Sequence, residues 1–217
     1  MEPLLMLNPL IWIGALTLYG LFLAWHENWR GKLSGAEIER VMQTVTAQPM
    51  IQKGNDLEIL RAFLEADDGR EFFMLNIIRL SQGDIADPRT GAMRPASVVM
   101  QGYTKSFLPA VLARGGYPAI AARRIGGYFD AWGVEPDPGW TMMGYMRYRS
   151  RRDLAQLVCQ PSFASAHNFK YAAMPQTFNF PTQPIVRSLM GPRVWVGLSI
   201  ALGAALVQIA QFVALAN

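Results

Sequence analysis

The segment PSFASAHNFKYAAMPQTFNFPTQ, Pro161 to Gln183, gathers the side chains best suited to chemistry. His167 is one of two histidines in the chain, and Lys170 and Tyr171 follow one helical turn later. An imidazole with a pKa near neutrality can act as a general base, and in a haem protein it can ligate the iron. The surroundings argue against a metal or haem. No second His, no Cys and no carboxylate stands at ligand spacing from His167, and the chain has no Gly-rich phosphate loop. Phe163, His167, Tyr171 and Met174 recur at helical spacing on one face, with Lys170 at its edge. Such a face packs on a sheet, or it lines a ligand pocket.

Four residues elsewhere suit the same cleft between a sheet and its helices: Asn76, Tyr103, Arg123 and Tyr145. An Asn in an otherwise apolar strand needs a polar partner when buried. A bound small molecule would supply one, and so would Tyr103 or Ser150. If the chain is an enzyme, His167 and Tyr103 are its catalytic candidates. No metal and no cofactor is implied. The run RYRSRR, Arg147 to Arg152, is the densest basic stretch. It reads as a solvated strand end or as a contact for anionic lipid or an acidic partner.

The elements that must hold these residues follow from periodicity. SGAEIERVMQTVTAQ opens with a capping box, Ser34 and Glu37, and carries Ile38, Val41, Met42 and Val45 at helical spacing. NDLEILRAFLEADDG reads as a second helix with Leu57, Leu60 and Leu64 on one side, stopping at Gly69. FFMLNIIRL is a strand apolar enough to be buried on both faces, and SQGDIADPRTGAMRP is a loop. ASVVMQGYTKSFLPAVLARGG is a helix kinked or cut short at Pro109. YPAIAARRIGGYFDAW is a strand bulged at Gly126 and Gly127, and WTMMGYMRYRS is a third strand. Ser150 caps a helix that Pro161 interrupts, and QTFNFPTQPIV is a last strand held to an edge by its prolines. The order is β-α-β-β-α-β, an α+β ferredoxin-like unit.

The two ends are different. Leu4 to Trp25 and Val194 to Ala216 contain no charged residue, although the chain has a net charge of +4. Each is long enough to cross ~30 Å of hydrocarbon at ~1.5 Å per residue. Arg30 and Lys32 follow the first segment, and Arg187 and Arg193 precede the second. The positive-inside rule then places the middle of the chain in the cytoplasm of a multi-pass protein of the bacterial inner membrane. A single cysteine, Cys159, fits a reducing compartment. His26 falls at the interfacial end of the first segment. In the second, Gly197, Ala201 and Ala204 form a small-residue face, and Gln208 and Gln211 are amides that need partners in lipid. The division is 1–32 membrane helix and flank, 33–71 helical collar, 72–186 ferredoxin-like domain and 187–217 membrane helix.

From Phe72 to Ile185 the chain resembles a small, uncharacterised family of the dimeric α+β barrel superfamily. The resemblance rests on FMLNIIRL, a tyrosine helix ending in GG, a strand closing on YRSRRDL and the segment PSFASAHNFKYAAMPQT. In that pattern Asn76 follows a Leu in the first strand, Tyr103 sits in the first helix and Ser150 opens the second. Lys170, Ala172, Ala173 and Met174 precede the last strand. The membrane helices and the long insert after the first strand depart from the family. The resemblance implies a fold and a habit of homodimerising sheet to sheet. Its superfamily includes monooxygenases, isomerases, haem enzymes and members without known activity, so the reaction stays open. The expectation is an accessory subunit of a larger inner-membrane complex, photosynthetic or respiratory. Its partners would be other membrane subunits and anionic lipid, without nucleic acid, because the arginines are scattered. The alternative is a membrane-tethered oxygenase or isomerase acting on an apolar small molecule.

Overall fold

In a computed structural model, residues 7–48, 56–186 and 190–216 are described. Arg187, which bears on the expected topology, lies outside them. The elements in chain order are α1 (Pro9–His26), α2 (Gly35–Thr46), α3 (Leu57–Glu65), β1 (Phe72–Arg79), β2 (Asp84–Ala86), β3 (Met93–Pro95) and α4 (Ala96–Leu112). They continue with β4 (Tyr117–Arg123), β5 (Met142–Tyr148), α5 (Arg151–Val158), α6 (Pro161–Ala173), β6 (Gln176–Thr182) and α7 (Pro192–Ala216). Two compact units result, one drawn from Met1–Glu27 with Ile185–Asn217 and one from Asn28–Pro184.

The first unit is an antiparallel pair, α1 against α7, and both helices are long and apolar enough to cross a membrane. Asn8 caps α1 through its side chain, with Pro9 at the first helical position where no donor is lost. The same Asn8 donates its backbone N–H to Gln208 Oε1 at 2.7 Å and its side-chain amide to Gln211 Oε1 at 3.0 Å. At the other end Arg193 binds the carboxylate of Glu27, and Tyr19 donates to the Arg193 carbonyl at 3.0 Å. A Cβ on Gly197 would sit 3.2 Å from the Tyr19 ring. Gly197, Ala204, Gln208 and Gln211 therefore serve the chain's own hairpin, while Ala201 faces outward. Two of the amide contacts are thus made within the chain, while Gln208 Nε2 is buried without a hydrogen-bond partner among the described residues. His26 is also buried, its Nδ1 2.9 Å from Glu27 Oε1.

The second unit is a ferredoxin-like α+β domain. Its antiparallel sheet runs β4-β5-β1-β6. Register places Phe72 beside Tyr148, Met74 beside Met146 and Asn76 beside Gly144 on one face. That face packs on the helices through Phe72, Val111, Tyr148, Leu154, Leu157 and Phe163, all buried. Each such side chain contributes ~1.5–3 kcal/mol by leaving water. A second cluster, Ile38, Met42, Leu64 and Ala155, joins α2 and α3 to α5. The expected capping box on α2 is present, and Ser150 caps α5 through the Asp153 N–H.

Several local expectations change. β1 is fully buried only at Phe72, on the helix side, and at Phe73, which stacks on Tyr145 on the other side; the rest of the strand is partly exposed. The expected loop after β1 contains a hairpin, β2 with β3. α4 runs through Pro109 to Leu112, since a proline this close to the end removes one hydrogen bond while Val111 stays anchored in the core. The β4 bulge lies at Pro118 to Ile120, not at the glycines. α3 ends at Glu65, and Gly69 makes a later turn with φ of +75°, its Cα against the Gly31 backbone.

The run RYRSRR is neither a solvated strand end nor a lipid contact. Arg147 is fully buried, binding Glu71 at 2.7 Å and the Gly115 carbonyl and lying over the Tyr117 ring. Arg149 forks onto Asp153. Arg151 lies over Phe63 and 3.7 Å from Asp67. Arg152 binds Glu37 and the carbonyls of Gly31 and Lys32. Arg147, Arg151 and Arg152 fasten the segments before β1 to the domain, and Arg149 braces the start of α5.

Candidate functional site

The face of α6 that looks inward presents Phe163, Ala166, His167 and Ala173, all buried, with Lys170 half-buried among them. Its neighbour is α4, and the two helices approach closely because position 102 is glycine. A Cβ there would lie 2.5 Å from the Phe169 ring. Tyr103 is thereby brought edge-on to His167, with ring centroids 5.6 Å apart, and beneath the Lys170 ammonium at 5.9 Å. Phe163 stacks edge-on to His167 at 4.4 Å.

His167 Nδ1 lies 2.8 Å from the Phe163 carbonyl. A carbonyl only accepts, so Nδ1 carries the proton and Nε2 keeps its lone pair in the neutral ring. Burial lowers the His167 pKa, the Phe163 carbonyl raises it, and the charge of Lys170 lowers it. Burial alone lowers that of Lys170, and it pushes the Tyr103 phenol well above its ordinary value. The cluster is a neutral imidazole, a weakened ammonium and a phenol that holds its proton. No hydrogen bond joins the three among the described residues, whereas general base catalysis needs that reach.

Asn76 shares the helix-facing side of the sheet, but its amide donates to the carbonyl of Met74 at 3.0 Å and more weakly to that of Gly144 at 3.4 Å. The partner it needs is backbone. Two expected members are absent from this cluster. Arg123 is exposed at the end of the edge strand β4. Tyr145 points to the opposite face, where it stacks on Phe73 at 5.4 Å and bonds Thr182 Oγ1. A strand alternates, so Tyr145 and the helix-facing Gly144 and Met146 cannot share a side. Among the described residues no three His, Cys, Asp or Glu side chains converge.

The opposite sheet face is the one that the expected sheet-to-sheet pairing requires, and its side chains were not singled out from the sequence. Register aligns Leu75 with Tyr145 and Phe180, and Ile77 with Met143 and Phe178. Ile120 extends the row on β4. Phe178, Phe180 and Ile120 remain 45%, 46% and 42% exposed. The alternation in QTFNFPT was the available signal: with Thr177, Asn179 and Pro181 on one side, Phe178 and Phe180 fall together on the other.

No family model and no curated protein matches this chain. Solved structures do. A protein of unknown function from Rhodopseudomonas palustris, determined in two forms, is 19% identical. Its methylated form aligns over 62% of this chain and 96% of its own with a TM-score of 0.51. The other form aligns over 61% and 96%, with a TM-score of 0.50. A dimeric protein of unknown function and ferredoxin-like fold from Bacteroides fragilis, 11% identical over 52% of this chain and 96% of its own, reaches a TM-score of 0.32. At 19% identity the likeness to the Rhodopseudomonas protein is one of fold.

Proposed function

We propose that this chain is a membrane-anchored accessory subunit without catalysis of its own, whose domain pairs sheet to sheet with a second copy in the manner of dimeric α+β barrels. One observation carries the reading: the sheet face away from the helices is apolar and open, while the groups that might do chemistry are committed to packing and backbone. Large contiguous apolar surface on a soluble domain marks an interaction site. The helix pair, joined through Asn8, Gln208 and Gln211, is the anchor. The anchor holds the domain on the cytoplasmic side of an inner membrane, with other membrane subunits as further partners.

Purification in mild detergent, with mass determination and identification of co-eluting chains, tests this. Dimers, alone or within a larger assembly, are expected. A monodisperse monomer, under conditions that preserve other membrane complexes, removes the reading. A membrane-tethered oxygenase or isomerase is the second reading, favoured by a half-buried Lys170 that has no acidic partner among the described residues. It requires that His167→Ala abolish turnover of an apolar substrate while the fold persists.

A further inference from the structure

We infer that the long connection between β4 and β5, residues 124–141, is a clasp that closes on a second copy of this chain. The inference rests on the sheet-to-sheet pairing proposed above and assigns that pairing its decisive side chains. The loop is held at its base. The Arg124 guanidinium binds the Asp137 carboxylate and the carbonyls of Gly126 and Trp140, and Asp137 also takes the Gly139 N–H at 2.9 Å. Everything between is therefore presented as one protrusion. Its side chains are the opposite of what solvent favours: Ile125 is 95% exposed, Phe129 102%, Trp132 82% and Val134 65%.

The loop continues the open sheet face. Trp140 meets Phe178 edge-on at 5.3 Å, although β5 and β6 are separated by β1, and its indole N–H donates to Tyr128 at 2.8 Å. The root of the loop thus folds onto the same side as Leu75, Tyr145, Phe178 and Phe180, forming a rim to an apolar floor. The protrusion is far from the anchor connections. Asn28 and Gln183, at the two ends of the domain, both bond the turn that precedes β1, through Gly69 and Asp68. The loop leaves from the other end of the strands, where Arg123 pairs with Met142. Seven residues at ~3.3 Å separate the two ends by ~23 Å.

Area favours a second copy. Four strands ~4.8 Å apart and ~23 Å long give a floor of roughly 450 Å², short of the ~800 Å² per partner of a stable interface. Phe129 and Trp132 add ~150–250 Å² each, which closes the gap. The floor is largely uncharged: Arg147 is buried on Glu71, and at one end the Arg79 guanidinium bonds the neutral amide of Gln176. A two-fold axis lays such a surface on its own equal. Copies anchored in one membrane share their orientation, so both loops reach the interface from the same end.

The test uses the full chain in mild detergent, with dimerisation followed by sedimentation equilibrium. Phe129→Ser with Trp132→Ser is expected to weaken dimerisation at least ~30-fold, the size of a hot-spot loss, with the circular dichroism of the folded chain unchanged because both side chains are exposed in the single copy. A photo-crosslinking residue at position 132 is expected to give an intermolecular product. If the loop variant dimerises as the wild type does while Phe178→Asp separates the copies, the clasp is wrong and the sheet pairing stands. A wild-type monomer overturns both.

Discussion

Arg147 divides its guanidinium between Glu71 and the Gly115 carbonyl with no exposure to solvent. Removing one partner of a buried ion pair strands the other and costs ~3–5 kcal/mol. Arg147→Met is expected to lower unfolding free energy by about 3 kcal/mol in denaturant titration, and Glu71→Gln in the same chain to return much of it. Glu37 gives a pH signature. The hydrogen bond from Arg152, aided by the Ser34 backbone N–H, holds its pKa at about 2 against an ordinary 4.5. A depressed carboxylate adds stability that is complete above 4.5 and lost as pH falls toward 2. Stability should fall through that window, and Glu37→Gln should flatten the slope. His167 has the same sign for a different reason. Burial favours its neutral ring, so nitrogen-resolved NMR is expected to find the Nδ1–H form persisting below pH 6.5.

At the scale of elements, two helix contacts depend on a missing side chain. α4 and α6 meet at Gly102, where a Cβ would press on the Phe169 ring. Gly102→Ala is expected to cost ~1–3 kcal/mol by overpacking, measurable as a lower unfolding midpoint and relieved by Phe169→Ala. In the anchor, Gly197 admits Tyr19 whereas Ala201 faces outward. Gly197→Leu should therefore loosen the chain's own hairpin, seen as loss of disulfide trapping between cysteines placed in α1 and α7. Ala201→Leu should leave that trapping intact. If it instead strips a co-purifying membrane subunit, the outward face of α7 has a partner.

For the whole molecule, the prediction concerns sidedness. With both anchors spanning the bilayer, protease added to right-side-out vesicles is expected to spare the domain, and protease added to inside-out vesicles to cleave at the exposed 124–141 loop. Cleavage of the domain in intact cells would remove the topology. The two kinds of surface divide the work: an apolar pair of helices joined through Asn8, Gln208 and Gln211, and a domain whose sheet face away from the helices is apolar.

Properties that repeat along the chain were legible in the sequence. The charge-free ends, the capping box at Ser34 and the β-α-β-β-α-β order all follow from composition and period, because capping and amphipathic patterning are local. The grouping of His167, Lys170, Phe163 and Tyr171 on one helix was legible for the same reason. Contacts between distant segments were decided only by the tertiary structure. RYRSRR reads as surface charge until Glu71, Asp67 and Glu37, tens of residues away, are brought to meet it. Tyr145 and Arg123 looked like companions of Asn76 until register put one on the other face and the other at an exposed edge. Burial of a charge and the side of a strand both depend on what lies across space, and neither is written in the local order of residues.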